Sequence, residues 1–235
     1  MGIKTKERYT RGLYCETIKL LQHYLNGKKD NFSGRYFSSV EHAGLRVPLP
    51  KEPRLITGTW NKKMAYLAGK HGTGLQMAEV FTHQFFRAME EAYMKGVKAS
   101  GAPVAPQISI GGMVCVGTDR EKAYKKARQT LVLYAPYLQS VLKHQGYNIG
   151  SKEFKLLSRC TKHHQLEKAE EYISDQMIDI LTLTGTPEEV AGKIKNLSGN
   201  SAIEGVMFSP PYGTCDNIED NINYLASELI PRLQY

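Results

Sequence analysis

The chain has 235 residues, 41% apolar and 23% charged, the proportions of an ordinary globular domain, and one domain is expected at this length. No apolar run approaches the ~18 residues of a membrane span, which excludes an integral membrane protein of the helical kind. The net charge of +8 is carried by scattered lysines with acidic neighbours. That reads as a solvated basic surface, with attraction of an anionic ligand second and no nucleic-acid motif in support.

The opening residues are basic but lack an apolar core and a small-residue cleavage site, so no signal peptide is read there and a cytoplasmic protein is expected. Cys15, Cys115, Cys160 and Cys215 are far apart and form no CxxC pair, which favours reduced thiols over disulfides or zinc.

In chain order, Leu13, Ile18, Leu21 and Leu25 recur at helical spacing and predict a helix over Glu7–Asn26, stopped by Asn26-Gly27. The stretch "NFSGRYFSSVEHAGLRVPLPKEP" reads as an extended excursion with a short hairpin. Arg54–Thr57 reads as a brief buried strand and Lys62–Lys70 as a helix with Met64, Leu67 and Ala68 inward. Leu75–Ala78 reads as another strand, followed by a helix over about Phe81–Ala99. "QISIGGMVCV", Gln107–Val116, alternates like a half-buried strand. Thr118-Asp119-Arg120-Glu121 reads as a capping box opening a helix with Ala123, Ala127 and Leu131 on its inner face. Pro136 falls inside Tyr134–Gly150, which can prolong or break that helix, and residues 151–172 are polar and helical in tendency. Thr186, Pro187 and Glu189 form a second capping box. "IEGVMFSPPYG" reads as a last strand ending in a Pro-Pro turn, and Asp216 with Glu219 starts a closing helix to Leu229.

A helix followed by strand–helix units argues for parallel strands with crossover helices. Periodicity alone leaves a doubly wound sheet and a (β/α)8 barrel both open. The absence of a GxGxxG after a strand counts against a dinucleotide-type Rossmann site. Only four strands are legible, whereas a full barrel needs eight in about 250 residues, so the pattern reads as part of a barrel.

The Thr57-Gly58-Thr59 turn sits between a strand and a helix. It either grips a phosphate with unpaired helix-start N–H groups or is a plain turn with Thr59 or Asn61 capping the helix. Trp60 either covers an aromatic ring or lies in the core, and Met77 reads as packing. Ser209, Pro210 and Pro211 border a ligand or simply stop the strand. His163-His164 lacks spaced partners and reads as surface rather than metal site, and Cys15 and Cys215 have no local base. No acid or base stands out.

Four segments, in order, resemble the luciferase-like monooxygenase superfamily, especially its coenzyme F420-dependent branch, which includes methylenetetrahydromethanopterin reductase. They are "RYTRGLYCETIKLLQHYLNGKKDNFSGRYF", "RLITGTWNKKMAYLAGKHGTGLQMA", "ISDQMIDILTLTGTPEEVAGKI" and "IEGVMFSPPYGTCDNIEDNINYLASELIPRL". The resemblance implies an α/β fold, a (β/α)8 TIM barrel of the bacterial luciferase-like type, lacking its first strand–helix units. It implies F420 as cofactor, with FMN as the alternative, and hydride transfer to a C1 carrier or similar substrate. It places Gly58, Thr59, Trp60, Leu75, Gln76, Met77 and Ala78 at the cofactor and Ser209, Pro210 and Pro211 at the substrate, although Thr73-Gly74 stands where the family has Asp-Gly. The acidic residue and cis-peptide bulge that the family sets beside the ring lie in the units missing here. A homo-oligomer, or a companion chain supplying those strands, is therefore expected, with monooxygenase chemistry or a non-catalytic binding subunit as alternatives.

Overall fold

The computed structural model describes residues 11–39, 44, 53–101, 105–199 and 203–233. Contacts group them into two compact units. The first takes in the described residues up to Thr57, together with Asn61–Leu75 and those from Ala92 to Pro106.

In the first unit, α1 (Arg11–Leu25) buries Leu13 and Ile18, and Gly27 at φ 75° follows its end. The predicted start at Glu7 lies outside the described residues. Leu21, expected inward, is exposed. The reason is that the inner face is the Tyr14–Ile18–Gln22 row, whose polar ends find partners: Tyr14 at the Thr57 hydroxyl (2.6 Å) and Gln22 at the His71 carbonyl (3.1 Å). The hairpin of the excursion is present as an antiparallel bridge between Ser33 and Ser38. Glu16 holds its turn by accepting the N–H groups of Arg35, Tyr36 and Phe37 at 2.9, 2.7 and 2.6 Å.

The helix α2 (Lys62–Lys70) has the predicted limits but a different inner face: Ala65, Ala68 and Gly69 are buried, not Met64 and Leu67. Close backbone approach to α3 (His83–Ser100) explains the rotation. A Cβ on Gly69 would lie 2.3 Å from the Tyr93 carbonyl oxygen, and one on Gly96 2.0 Å from that of Tyr66. Small residues face each other, and the larger side chains turn aside.

The second unit comprises Gly58–Trp60, Gln76–Glu91 and the described residues from Gln107 onward. Strands β1 (Ile56–Gly58) and β2 (Gly74–Ala78) begin in the first unit and end in this one. The sheet order is β1-β2-β3-β4, with β5 also on β3. Strand β3 (Ile108–Val116) pairs in parallel with β5 (Ile203–Gly213) and, at Val114–Val116, with β4 (Leu183–Gly185). The expected half-buried alternation of β3 is corrected: eight of its nine residues are buried. A strand with neighbours on both edges in a parallel sheet is covered on both faces. Strand β1 starts two residues later than predicted and exposes Ile56, as a terminal strand of the sheet does.

Helix α4 (Arg120–Tyr134) buries Ala123, Ala127 and Leu131 as expected, together with Tyr124 and Val132. Its cap is Asp119, not Thr118, because the Asp119 carboxylate reaches the N–H groups of Glu121 and Lys122. After Tyr134 the chain breaks into a 3₁₀ turn at Pro136, then α5 (Gln139–His144), α6 (Lys152–Lys162), α7 (Leu166–Glu170) and α8 (Asp175–Leu181). These pack Leu142, Phe154, Leu157, Met177, Ile178 and Leu181 with α4 into one core. Helix α9 (Pro187–Ser198) starts with the predicted capping box of Thr186 and Glu189. The closing helix begins at Ile218 under an Asn217 cap rather than at Asp216, since the Asn217 side chain reaches the Asp220 N–H. It runs as α10 (Ile218–Tyr224), a π-helical turn and α11 (Ile230–Leu233), past the expected end at Leu229. Among the described residues no helix is long and apolar enough to cross a membrane.

Candidate functional site

Gly58, Thr59, Trp60, Gln76, Met77, Ala78, Ser209, Pro210 and Pro211 all fall in the second unit, and Leu75 in the first. Residues 58–60 and 76–78 meet where β1 and β2 end: the Thr59 N–H donates to the Gln76 carbonyl at 3.2 Å. At Gly58 nothing lies within 4 Å of where a Cβ would stand, so the backbone is open to an approaching group. The Thr57 hydroxyl is committed elsewhere, sharing hydrogen bonds with Tyr14 and, at 2.8 Å, with Thr73.

Asn61 is the cap of α2, accepting from the N–H groups of Lys63 at 2.9 Å and Met64 at 3.4 Å. Two of the four amides that a helix N-terminus offers to an anion are therefore already satisfied. Of the two readings open for Trp60, the core is the one excluded: it is 45% exposed, and its indole N–H donates to the Ala78 carbonyl at 2.6 Å. That bond ties an exposed ring to the end of β2.

Along β2 the side chains divide by parity, as a strand requires. Leu75 and Met77 are 1% and 2% exposed. Both side chains therefore pack in the core. Gln76 and Ala78 are half-buried. The Gln76 amide approaches the Met207 sulfur at 3.5 Å. Gly111 lies beneath that side chain, since a Cβ there would be 3.1 Å from the Met207 Cβ.

The residue after Ala78 was not singled out in the sequence. Glu79 adopts φ 60°, uncommon for a non-glycine residue. Its N–H donates to the Gly111 carbonyl at 3.0 Å, and its carboxylate accepts from the Met113 N–H at 3.4 Å. Burial pushes its pKa up, and the Met113 bond offsets this in part. Opposite stands Gly112 at φ 140°, where a Cβ would lie 2.8 Å from the Glu79 nitrogen. The signal that could have found Glu79 is its place immediately after a strand end, where barrel chemistry sits.

Ser209 lies opposite Met113, but β5 does not stop at Pro210-Pro211 as expected. It passes through that cis peptide and re-pairs as far as Gly213 opposite Val116, because β3 still offers partners after a register shift between Met113 and Cys115. Asn221, also unread in the sequence, is buried and brackets the strand's exit by accepting from the Cys215 N–H and donating to the Cys215 carbonyl.

Elsewhere, His163 and His164 are exposed, and among the described residues no three His, Cys, Asp or Glu side chains gather as a metal site. All four cysteines are free thiols, and burial pushes Cys115 up to about 12, far from a thiolate at neutral pH. The strand ends thus collect an open glycine backbone, a pinned indole, an amide and a carboxyl. Such groups are able to stack on and hydrogen-bond to a ligand.

A parallel sheet with crossover helices is the arrangement of the (β/α) barrels. The family model for luciferase-like monooxygenases matches residues 1–202, and the chain belongs to that family. A 5,10-methylenetetrahydromethanopterin reductase of Archaeoglobus fulgidus is 25% identical over 224 residues, which are 93% of this chain and 65% of the reductase. The structure of a coenzyme F420-dependent tetrahydromethanopterin reductase from Methanopyrus kandleri superposes with a TM-score of 0.78 at 18% identity, covering 95% of this chain and 63% of that one. An F420-dependent secondary alcohol dehydrogenase, solved with an F420-acetone adduct, gives 0.70 at 17% identity, covering 98% and 65%. An FMN-bound Baeyer-Villiger monooxygenase component from Pseudomonas putida gives 0.51 at 15%, covering 93% and 62%. The fold is therefore that of the luciferase-like TIM barrels. The chain spans less than two thirds of the length of these relatives.

Proposed function

We propose that this chain is the deazaflavin-holding part of an F420-dependent oxidoreductase acting on a C1 carrier of the tetrahydromethanopterin kind. The observation that carries the reading is the match over 93% of the chain to a methylenetetrahydromethanopterin reductase. The site is in keeping with it: Gly58 and Thr59 suit the phosphate-bearing tail, Trp60 offers a ring face, and Gln76 and Ala78 lie beside it. Ser209, Pro210 and Pro211 are proposed to border the substrate. When bound, the cofactor supplies the hydride, and the protein's part is to orient the ring and exclude water.

FMN is the second reading, favoured by the FMN-bound monooxygenase component that shares the fold. The working protein is proposed to be cytoplasmic and to gain further strands from a second copy or a companion chain. Equilibrium titration with F420 and with FMN separates the two cofactors by their absorbance. Oxidation of reduced F420 in the presence of methylenetetrahydromethanopterin then tests the reaction. Preference for FMN, with oxygen consumption in place of reduced-F420 oxidation, would overturn the first reading.

A further inference from the structure

We propose that the Glu79 carboxyl is a ligand-binding group of this site, donating a hydrogen bond to the carbonyl- or nitrogen-bearing edge of a planar heteroaromatic ring held beside Trp60. The inference rests on the reading that a deazaflavin or flavin ring binds at the strand ends.

The chain around Glu79 is fixed on every side. The carbonyl before it is held by the Trp60 indole, its own N–H by Gly111, and the Phe81 N–H by the Ile180 carbonyl at 2.8 Å. A bend of this handedness is ordinarily made by Gly, Asn or Asp, whose side chains tolerate it or bond locally. Glutamate offers neither advantage. Gly112 leaves the space that the bend needs, since a Cβ there would also meet the Glu79 Cδ at 3.1 Å. The product of these constraints is a half-buried carboxyl on the residue after the carbonyl that the indole grips, its pKa raised by burial and its oxygen reached by a long bond from the Met113 N–H. A neutral carboxyl is a donor, which a carboxylate is not.

Among the described residues no opposing charge offsets this effect. On β3 the carboxyl meets backbone, and beyond Phe81 stands Lys193 of α9, its ammonium 5.8 Å from the Phe81 ring and bonded to the carbonyls of Asp179 and Thr182. Burial pushes Lys193 down to about 8, so it keeps its charge from mildly acidic to neutral pH.

The test is titration of the chain with F420 and with FMN over that pH range, read by the fluorescence of its single tryptophan. Affinity should fall as pH rises through the raised Glu79 pKa. Glu79→Gln, which keeps a neutral donor, should bind with no such fall beyond the ligand's own titration. Glu79→Ala should bind about tenfold more weakly at the acidic end, the worth of one hydrogen bond. A wild-type profile identical to that of Glu79→Gln, or Glu79→Ala binding as wild type does, overturns the role of Glu79 and leaves the function standing. No binding of either cofactor by the wild type overturns the function and this inference together.

Discussion

Gly96 sets the distance between α2 and α3. In a solvent-facing helix, glycine to alanine is favourable by about 1 kcal/mol. Here the new Cβ would press on the Tyr66 carbonyl, an atom that cannot swing away. Gly96→Ala should therefore destabilise the protein by roughly 1–3 kcal/mol, the cost of overpacking, as measured by urea denaturation. Lys193 gives a second prediction at this scale. Its folded pKa is depressed from 10.5 to about 8 by burial, against the opposing pull of Asp179. A depressed lysine contributes stability that is present above its unfolded value and is lost as pH falls through the folded one. The unfolding free energy should thus decline between pH 10.5 and about 8 by on the order of 3 kcal/mol, then level off. Lys193→Met should lack this decline.

Strand β5 differs from β3 in what covers it. Within β3 only Ser109 escapes full burial, whereas β5 exposes Glu204, Gly205, Met207 and Pro210 and leaves Val206 and Phe208 half-covered. A parallel strand so exposed invites another chain along its edge. The protein should therefore associate at micromolar concentration by light scattering, and a clean monomer with cooperative unfolding would contradict this. Amide exchange should be slow in β3 and faster in β5. The elements themselves were largely legible, because caps and turns are local chemistry: Thr186 with Glu189, Asn26-Gly27 and the limits of α2 follow from neighbouring residues alone. Strand β4 was not, since "LTG" just before a cap reads as turn until β3 supplies a partner. The inner faces of α1 and α2 depend on Tyr14, Gln22 and Gly96 meeting residues far along the chain, which spacing cannot show.

For the molecule as a whole, the strand–helix order and four ordered segments were enough to reach the family and its barrel fold. The site was legible only in part. Gly58 and Thr59 were singled out because a glycine turn before a helix has a known use. Trp60 stayed open between core and ring cover because exposure is a tertiary property, and Glu79 drew no attention because a left-handed bend at glutamate leaves no mark in composition. The central claim is that the ends of β1 and β2 hold a deazaflavin ring. The most direct test is the fluorescence of Trp60, the single tryptophan, during titration with F420. Saturable quenching that Gly58→Val weakens, with Trp60→Phe losing the signal while F420 still binds by dialysis, is the predicted result. F420 binding that leaves Trp60 emission unchanged would place the cofactor elsewhere and contradict the account.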